Sequence, residues 1–251
     1  MSQVVNLKSV KATCQSCSLS RLCLPRGLHD EELERLDRIV QRKRPLTKGE
    51  ALFHVGQPFH SLFAVRSGSI KVVLPTSHGE EQIVGFHLPG ELLGLDAMGH
   101  DAHHCTAIAL ETSSVCELPY HQMQELCKQI PSLNDQLMSL ISDEIAGEHE
   151  MLLMLGKKTA EVRLAAFMAN LSVRFHRRGF SSTEFNLPMS RHDIANYLGL
   201  AVETVSRLFT RFQEEGVIEV HRRLVQIRDR DRLWELAEMG GPQCPGVRAD
   251  N

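Results

Sequence analysis

Short alternating apolar stretches broken by glycines over residues 45–118, an apolar stripe sustained along the helical stretch that follows, and two helical patterns hinged on Gly199 predict an α+β chain. The expected order is an N-terminal β-roll of the jelly-roll type, a long dimerisation helix, and a C-terminal winged helix-turn-helix. The domain layout reads as a cysteine-rich segment over 1–28, the roll over 29–131, the long helix over 132–157, the winged helix-turn-helix over 158–240 and a tail over 241–251.

The first segment has little periodicity and carries Cys14, Cys17 and Cys23 at close spacing. Thiolates spaced this way on a short loop can converge on one soft metal centre, and four of them complete either a zinc site or an iron–sulfur cluster. The fourth must come from Cys105, Cys116, Cys127 or Cys244. Seven cysteines are an odd number, which argues against a fully paired disulfide framework. The first twenty residues hold no apolar run of signal-peptide length, and no stretch approaches the roughly 20 apolar residues that span a bilayer. A cytoplasmic protein is therefore expected, where clustered thiols are more often metal sites than disulfides.

Asp30 to Gln41 reads as a short amphipathic helix with Leu33, Leu36, Ile39 and Val40 on one side. From Pro45 to Leu118, runs such as Leu62–Val65 and Ile70–Leu74 alternate with turns at Gly49, Gly56, Gly68, Gly79 and Gly90, the pattern of a compact antiparallel roll. Cys116 lies in a strand-like stretch that would set its direction. Cys105 follows His103 and His104, a plausible local metal site, so chemistry alone leaves Cys105 open. The histidine pair is otherwise expected to be solvated loop. Cys127 sits in a helical, mostly apolar context and reads as core, and Cys244 reads as a free thiol in the Pro/Gly-rich tail.

Pro131 suits a first helical turn, and a long helix is expected from Ser132 to about Leu155. Leu137, Ile141, Ile145, Leu152 and Leu155 form its apolar stripe, interrupted by Glu148. At 1.5 Å rise per residue the helix is about 36 Å long, which suits a two-fold coiled-coil homodimer. Glu148 would then face its own copy.

Residues 163–178 form a further helix, stopped at Gly179. Ser190 caps the next, with Asp193 completing a variant of the capping box. Gly199 makes the turn, and a second helix runs from about Val202 to Glu214, burying Val202, Val205, Phe209 and Phe212. Its outer face presents Glu203, Thr204, Ser206, Arg207 and Arg211. Arg207 can grip guanine through O6 and N7, Glu203 can accept from the cytosine amino group, and Ser206 can bond a base or a phosphate. An intrahelical Glu203–Arg207 pair is the plainer role, worth only about 0.2–0.5 kcal/mol. The runs Val217–Val220 and Leu224–Ile227 flank a basic turn and read as the wing.

Charge follows the same division. The net charge is −3, but residues 67–162 carry 4 basic and 14 acidic groups, while residues 163–232 carry 12 basic groups, all arginine, against 8 acidic. An acidic middle repels nucleic acid; the arginine-rich end suits double-stranded DNA. There is no P-loop, no dinucleotide fingerprint and no Gly-x-Ser-x-Gly elbow, so no enzyme is expected.

The cysteine triplet, the glycine-punctuated roll, the long helix and Leu200-Ala201-Val202-Glu203-Thr204-Val205-Ser206-Arg207 together resemble the FNR/Anr branch of the cyclic-AMP receptor protein superfamily. The resemblance covers Cys14 to Leu236. Besides the cysteine spacing, it is most specific in Leu110–Glu117 and Asn196–Leu200. It implies an oxygen-labile 4Fe–4S cluster held by Cys14, Cys17, Cys23 and Cys116, and so selects Cys116 among the open candidates. It also implies a cluster-dependent homodimer that regulates anaerobic genes at two-fold TTGAT-type sites, and a contact with RNA polymerase around Ser77–Glu81. Leu19, Leu22, Leu24 and Leu28 would give the cluster an apolar cover. No cyclic nucleotide is expected. The chain has Gly90-Glu91-Leu92, yet no arginine lies between Arg66 and Arg163, and Cys105-Thr106-Ala107 stands where an Arg-Ser-Ala run would supply the phosphate's cation.

Overall fold

The computed structural model describes residues 13–76 and 79–239; Cys244, Ser77, His78 and the tail lie outside the described residues. Helix α1 (Asp30–Ile39) opens the ordered elements and ends where Gln41 and Arg42 form the short strand β1 (Gln41–Arg42). The roll follows as β2 (Ala51–Phe53), β3 (Ser61–Ser67), β4 (Ile70–Pro75), β5 (Glu81–His87), β6 (Leu92–Leu93), β7 (Thr106–Ala109) and β8 (Ser114–Pro119). Its strands form two antiparallel sheets, in the orders β1-β8-β3-β6 and β2-β7-β4-β5.

Period-two alternation assigns each face of the first sheet to a different core. Phe63, Val65, Leu93 and Val115 point into the roll with Phe53 and Ile70. Leu62, Ala64, Leu92 and Leu118 point the other way, onto a layer of helices that contributes Leu36, Met123 and Leu126. That outer layer is α1 together with α2 (Tyr120–Gln129) and the start of α3 (Pro131–Lys157). The second sheet turns its outer face, with Val73, Ile83 and Phe86, to the C-terminal helices.

Helix α3 extends about one turn beyond the expected stretch in total, from Pro131 to Lys157. Its first turns belong to the core: Leu133 and Leu137 are buried with Ile130 and Leu126. This corrects the expected stripe, because Leu137 packs inside its own chain. Its neighbour Met138 is 47% exposed, and Ile145, Leu152 and Leu153 are 47%, 67% and 59% exposed. The uncovered stripe therefore runs Met138, Ile145, Leu152 at intervals of seven, with half-buried Ile141 and exposed Glu148 between and half-buried Leu155 after. No described helix is long and apolar enough to cross a membrane.

Thr159 caps α4 (Ala160–Arg177) by accepting from the Val162 amide, so this helix starts three residues earlier than the pattern indicated. There follow β9 (Glu184–Asn186), α5 (Arg191–Leu198), α6 (Val202–Glu214), β10 (Ile218–His221), β11 (Leu224–Ile227) and α7 (Arg230–Leu236). The wing is a three-stranded sheet, β10-β11-β9, with β9 added to the expected hairpin.

Candidate metal centre and nucleic-acid interface

A ladder of tight turns shapes the cysteine segment. The Cys17 amide donates to the Cys14 carbonyl at 3.3 Å, Ser20 to Cys17 at 3.1 Å, Cys23 to Leu19 at 3.1 Å and Arg26 to Cys23 at 3.0 Å. Cys116 is placed by the sheet: it lies opposite Ala64 of β3 and Arg42 of β1, on the face shared with Leu118. The segment folds over that face, and its backbone comes close to the roll at Gly90. Gly90 has φ +94°, and a Cβ there would stand 3.0 Å from that of Leu22, so a side chain would be strained in its backbone and would press on Leu22.

Cys14, Cys17, Cys23 and Cys116 line one cavity, with Leu19, Leu24, Pro25, Leu36, Val40 and Leu118 among its walls. Leu19 and Leu24 thus form part of the cover, whereas Leu22 lies against Gly90 and Leu28 packs on the helical core. All four cysteines are free thiols. Burial, and secondarily Asp37, pushes the Cys14 thiol up to about 12. Burial also raises Cys23 to about 12. Burial raises Cys116 as well, against the opposing charges of Arg42 and Arg66. Loading the site with a thiophilic group must therefore release protons. Among the described residues, no group of three His, Cys, Asp or Glu side chains is placed to hold a single metal ion. The thiols instead surround a shared apolar space, a donor set that fits a soft, sulfur-ligated group.

The competing cysteines lie elsewhere. Cys105 is buried in the roll core, where its thiol donates to Asp96 at 3.3 Å. Cys127 lies on α2 beside a separate groove with Met98, Tyr120 and Met123. Cys244 is outside the described residues. The expectation of a solvated histidine pair holds for exposed His104 but not for His103, which is 4% exposed and stacks on Phe53 at 3.8 Å. His103 lies in the coil between the Pro58–Ala102 bridge and β7.

The second site is built by α5 and α6. The Ser190 hydroxyl accepts from the Asp193 amide at 3.1 Å, while Asp193 accepts from the Ser190 amide at 2.9 Å, closing the capping box. Gly199 ends α5 at φ +61°, ψ +41°, a left-handed turn that glycine adopts without strain. Val205, Leu208, Phe209 and Phe212 bury one side of α6. Glu203, Ser206 and Arg207 stand exposed on the other. The plainer ion pair is absent, since Arg207 lies 3.5 Å from the Thr204 hydroxyl and not against Glu203. Arg211 is placed differently, half-buried between Glu161 and Glu215. Sequence reasoning missed Arg191, whose guanidinium lies 3.1 Å from the centre of the Phe209 ring. Its position directly after the Ser190 cap was the available signal.

Polar contacts tie this unit to the roll. Lys71 of β4 meets Asp193 at 2.7 Å. The Asn196 side chain accepts from the Ile83 amide at 2.6 Å and donates to the Glu81 carbonyl at 2.8 Å. Glu91, the acid of Gly90-Glu91-Leu92, is clasped by Arg174 at 2.5 Å and Arg178 at 2.5 Å. Burial opposes ionisation of Glu91, but the two guanidinium groups prevail and hold it at about 2.

A roll, a long helix with an uncovered apolar stripe and a winged helix-turn-helix define a class, the DNA-binding transcription regulators built on a cyclic-nucleotide-binding scaffold. Residues 43–130 match the family Cyclic nucleotide-binding domain, and residues 162–236 match the Crp-like helix-turn-helix domain. The chain is 52% identical over 247 residues to the transcriptional activator protein anr of Pseudomonas aeruginosa, covering 98% of this chain and 100% of that protein. It is 51% identical over 224 residues to the fumarate and nitrate reduction regulatory protein of Escherichia coli, covering 89% and 90%. The structure of FixK2 from Bradyrhizobium japonicum superimposes with a TM-score of 0.71 at 29% identity, covering 79% of this chain and 97% of that one. The chain belongs to the Anr/FNR family of transcriptional regulators within the cyclic-AMP receptor protein superfamily. It is a regulator and not an enzyme.

Proposed function

We propose that this chain is an oxygen-responsive transcription factor in which Cys14, Cys17, Cys23 and Cys116 hold a 4Fe–4S cluster. The observation that carries the reading is the cavity, where three thiols from a turn-rich segment and one from β8 face the same apolar space. When bound, the group supplies reactivity toward dioxygen, which converts or destroys it. The protein's part is to tie residues 13–28 to the roll through Cys116 and to restrict access with Leu19 and Leu24.

That tie has a physical route to the long helix. Leu24, Leu36, Val40 and Leu118 wall the cavity, and the same apolar cluster continues through Met123, Leu126 and Ile130 to Leu133 and Leu137 of α3. Loss of the tie loosens the packing that orients α3. Its stripe, from Met138 through Ile141, Ile145, Glu148 and Leu152 to Leu155, then pairs less well with a second copy. A homodimer presents two α6 helices to a two-fold TTGAT-type site, whereas a monomer grips one half-site and loses most of its specific affinity. Arg207 and Glu203 read base edges, Ser206 supports them, and Arg211 reaches the backbone if it leaves Glu161.

Glu91 is taken up by Arg174 of α4 and by Arg178 at its C-cap, which supports a roll that serves as scaffold without cyclic nucleotide. Cytoplasmic residence follows from DNA as the target. Contact with RNA polymerase through the surface around Ser77–Glu81 rests on the family alone. The test is fluorescence anisotropy of a duplex carrying two TTGAT half-sites. Tight binding by anaerobically reconstituted protein that is lost on exposure to air supports the reading; equal binding in both conditions refutes oxygen control.

A further inference from the structure

We infer that Asp37 is a positioning residue of the cysteine centre, holding Cys14 in register with Cys116. The inference rests on the cluster reading and adds a group outside the thiol set. Asp37 lies near the C-terminal end of α1. A single oxygen, Oδ1, accepts from the Cys14 backbone amide at 3.0 Å and from an Arg42 guanidinium nitrogen at 2.6 Å. Arg42 in turn stands directly opposite Cys116 in the β1–β8 ladder. One carboxylate oxygen therefore joins the segment that carries Cys14 to the strand beside the one that carries Cys116.

Few other polar bonds do this. The backbone bonds of the cysteine segment are short-range turns within 14–28, and Gln15 reaches Asp30 only at 3.3 Å. Asp37 and Arg42 are 24% and 28% exposed, sheltered enough for the pair to be ordered. Asp37 sets its charge against a Cys14 thiolate, and Arg42, on the same oxygen, offsets part of that charge. Groups that orient metal ligands from outside the ligand set typically change affinity about 10- to 100-fold when removed.

The experiment compares wild type, Asp37→Ala, Asp37→Asn and Arg42→Ala as full chains reconstituted anaerobically with iron and sulfide. Two readouts are followed: the visible circular dichroism of the loaded protein, and the anaerobic rate of absorbance loss to an iron chelator. Thermal melts of the cluster-free proteins establish that each variant folds. Asparagine keeps a carbonyl oxygen where Oδ1 stands and drops only the charge. Asp37→Asn should retain the wild-type dichroism and lose its cluster within about twofold of the wild-type rate, while Asp37→Ala should alter the dichroism and be about 10-fold faster. Arg42→Ala, which cuts the same chain of contacts on its other side, should also be faster than wild type. The inference is overturned if Asp37→Ala and Arg42→Ala match wild type. It is equally overturned if Asp37→Asn behaves like Asp37→Ala or holds its cluster longer than wild type, because charge and not position would then be the role. Wild type that takes up no cluster refutes the cluster reading itself, and this inference falls with it.

Discussion

Replacing Glu148 by alanine should strengthen dimerisation of the cluster-free protein. Glu148 is exposed on α3 and makes no ion pair among the described residues; it sits between Ile145 and Leu152, which are 47% and 67% exposed. Fully burying an Ile or Leu side chain is worth about 1.5–3 kcal/mol, so covering these exposed fractions on both copies contributes about 3–7 kcal/mol to association. Against this stands the cost of association itself, at least about 4 kcal/mol, so the balance is close. Two carboxylates facing each other at about 6 Å with an effective dielectric near 20 repel by roughly 2.8 kcal/mol. Solvent and splaying reduce this to about 1–2 kcal/mol, still about 5- to 30-fold in a dimerisation constant. Glu148→Ala should therefore tighten the dimer by that factor and bind DNA partly in air. Sedimentation of the aerobic protein reads the constant directly. A constant equal to or weaker than wild type would mean that Glu148 is neutral or is paired across the interface, and the reasoning would fail.

Arg207→Ala should cost about 1–3 kcal/mol and relax preference at one guanine per half-site, measured by titrating single-base operator variants. Equal weakening at every variant would make Arg207 a backbone contact, the behaviour expected of Arg211→Ala if Arg211 touches phosphate. Serine at Cys14, Cys17, Cys23 or Cys116 should abolish or severely weaken cluster assembly, because hydroxyl is a poor ligand for a soft centre, while Cys105→Ser, Cys127→Ser and Cys244→Ser should retain it. A cluster kept in Cys116→Ser and lost in Cys105→Ser, read by iron and sulfide analysis, would overturn the ligand set. Glu91→Gln should destabilise the cluster-free protein near pH 7 in thermal melts. Because the carboxyl is held at about 2 against an ordinary 4.5, its contribution is present above about pH 4.5 and disappears as the pH falls toward 2. A stability gap between wild type and variant that stays constant over that range would deny the clasp its electrostatic role.

The helix-turn-helix was legible because its signals are local. A capping box at Ser190 and Asp193, a glycine at the turn and apolar residues three and four apart all lie within 25 residues, and α6 spans the expected Val202–Glu214. The long helix was legible in extent but not in facing. Leu137 and Met138 are both apolar and differ by about 100° around the axis, and only the roll packed over the first turns decides which is core. Cys105 and Cys116 could not be separated by thiol chemistry. The register separates them, since Cys116 shares the outward face of β8 with Leu118 while Cys105 enters the roll beside β7. The Glu91 clasp joins groups 83 and 87 residues apart, and the Asp37 contact joins groups 23 apart, so neither spacing carries a pattern. Strand β9, three residues long, forms only because β11 offers it an edge.

The central claim is that four thiols converge on an iron–sulfur cluster that oxygen destroys. Anaerobic purification followed by an absorption spectrum and iron and acid-labile sulfide analysis tests it most directly. The account predicts broad visible absorption, about four irons and four sulfides per chain, and bleaching in air. A colourless protein carrying one zinc per chain, with a spectrum indifferent to air, would contradict it.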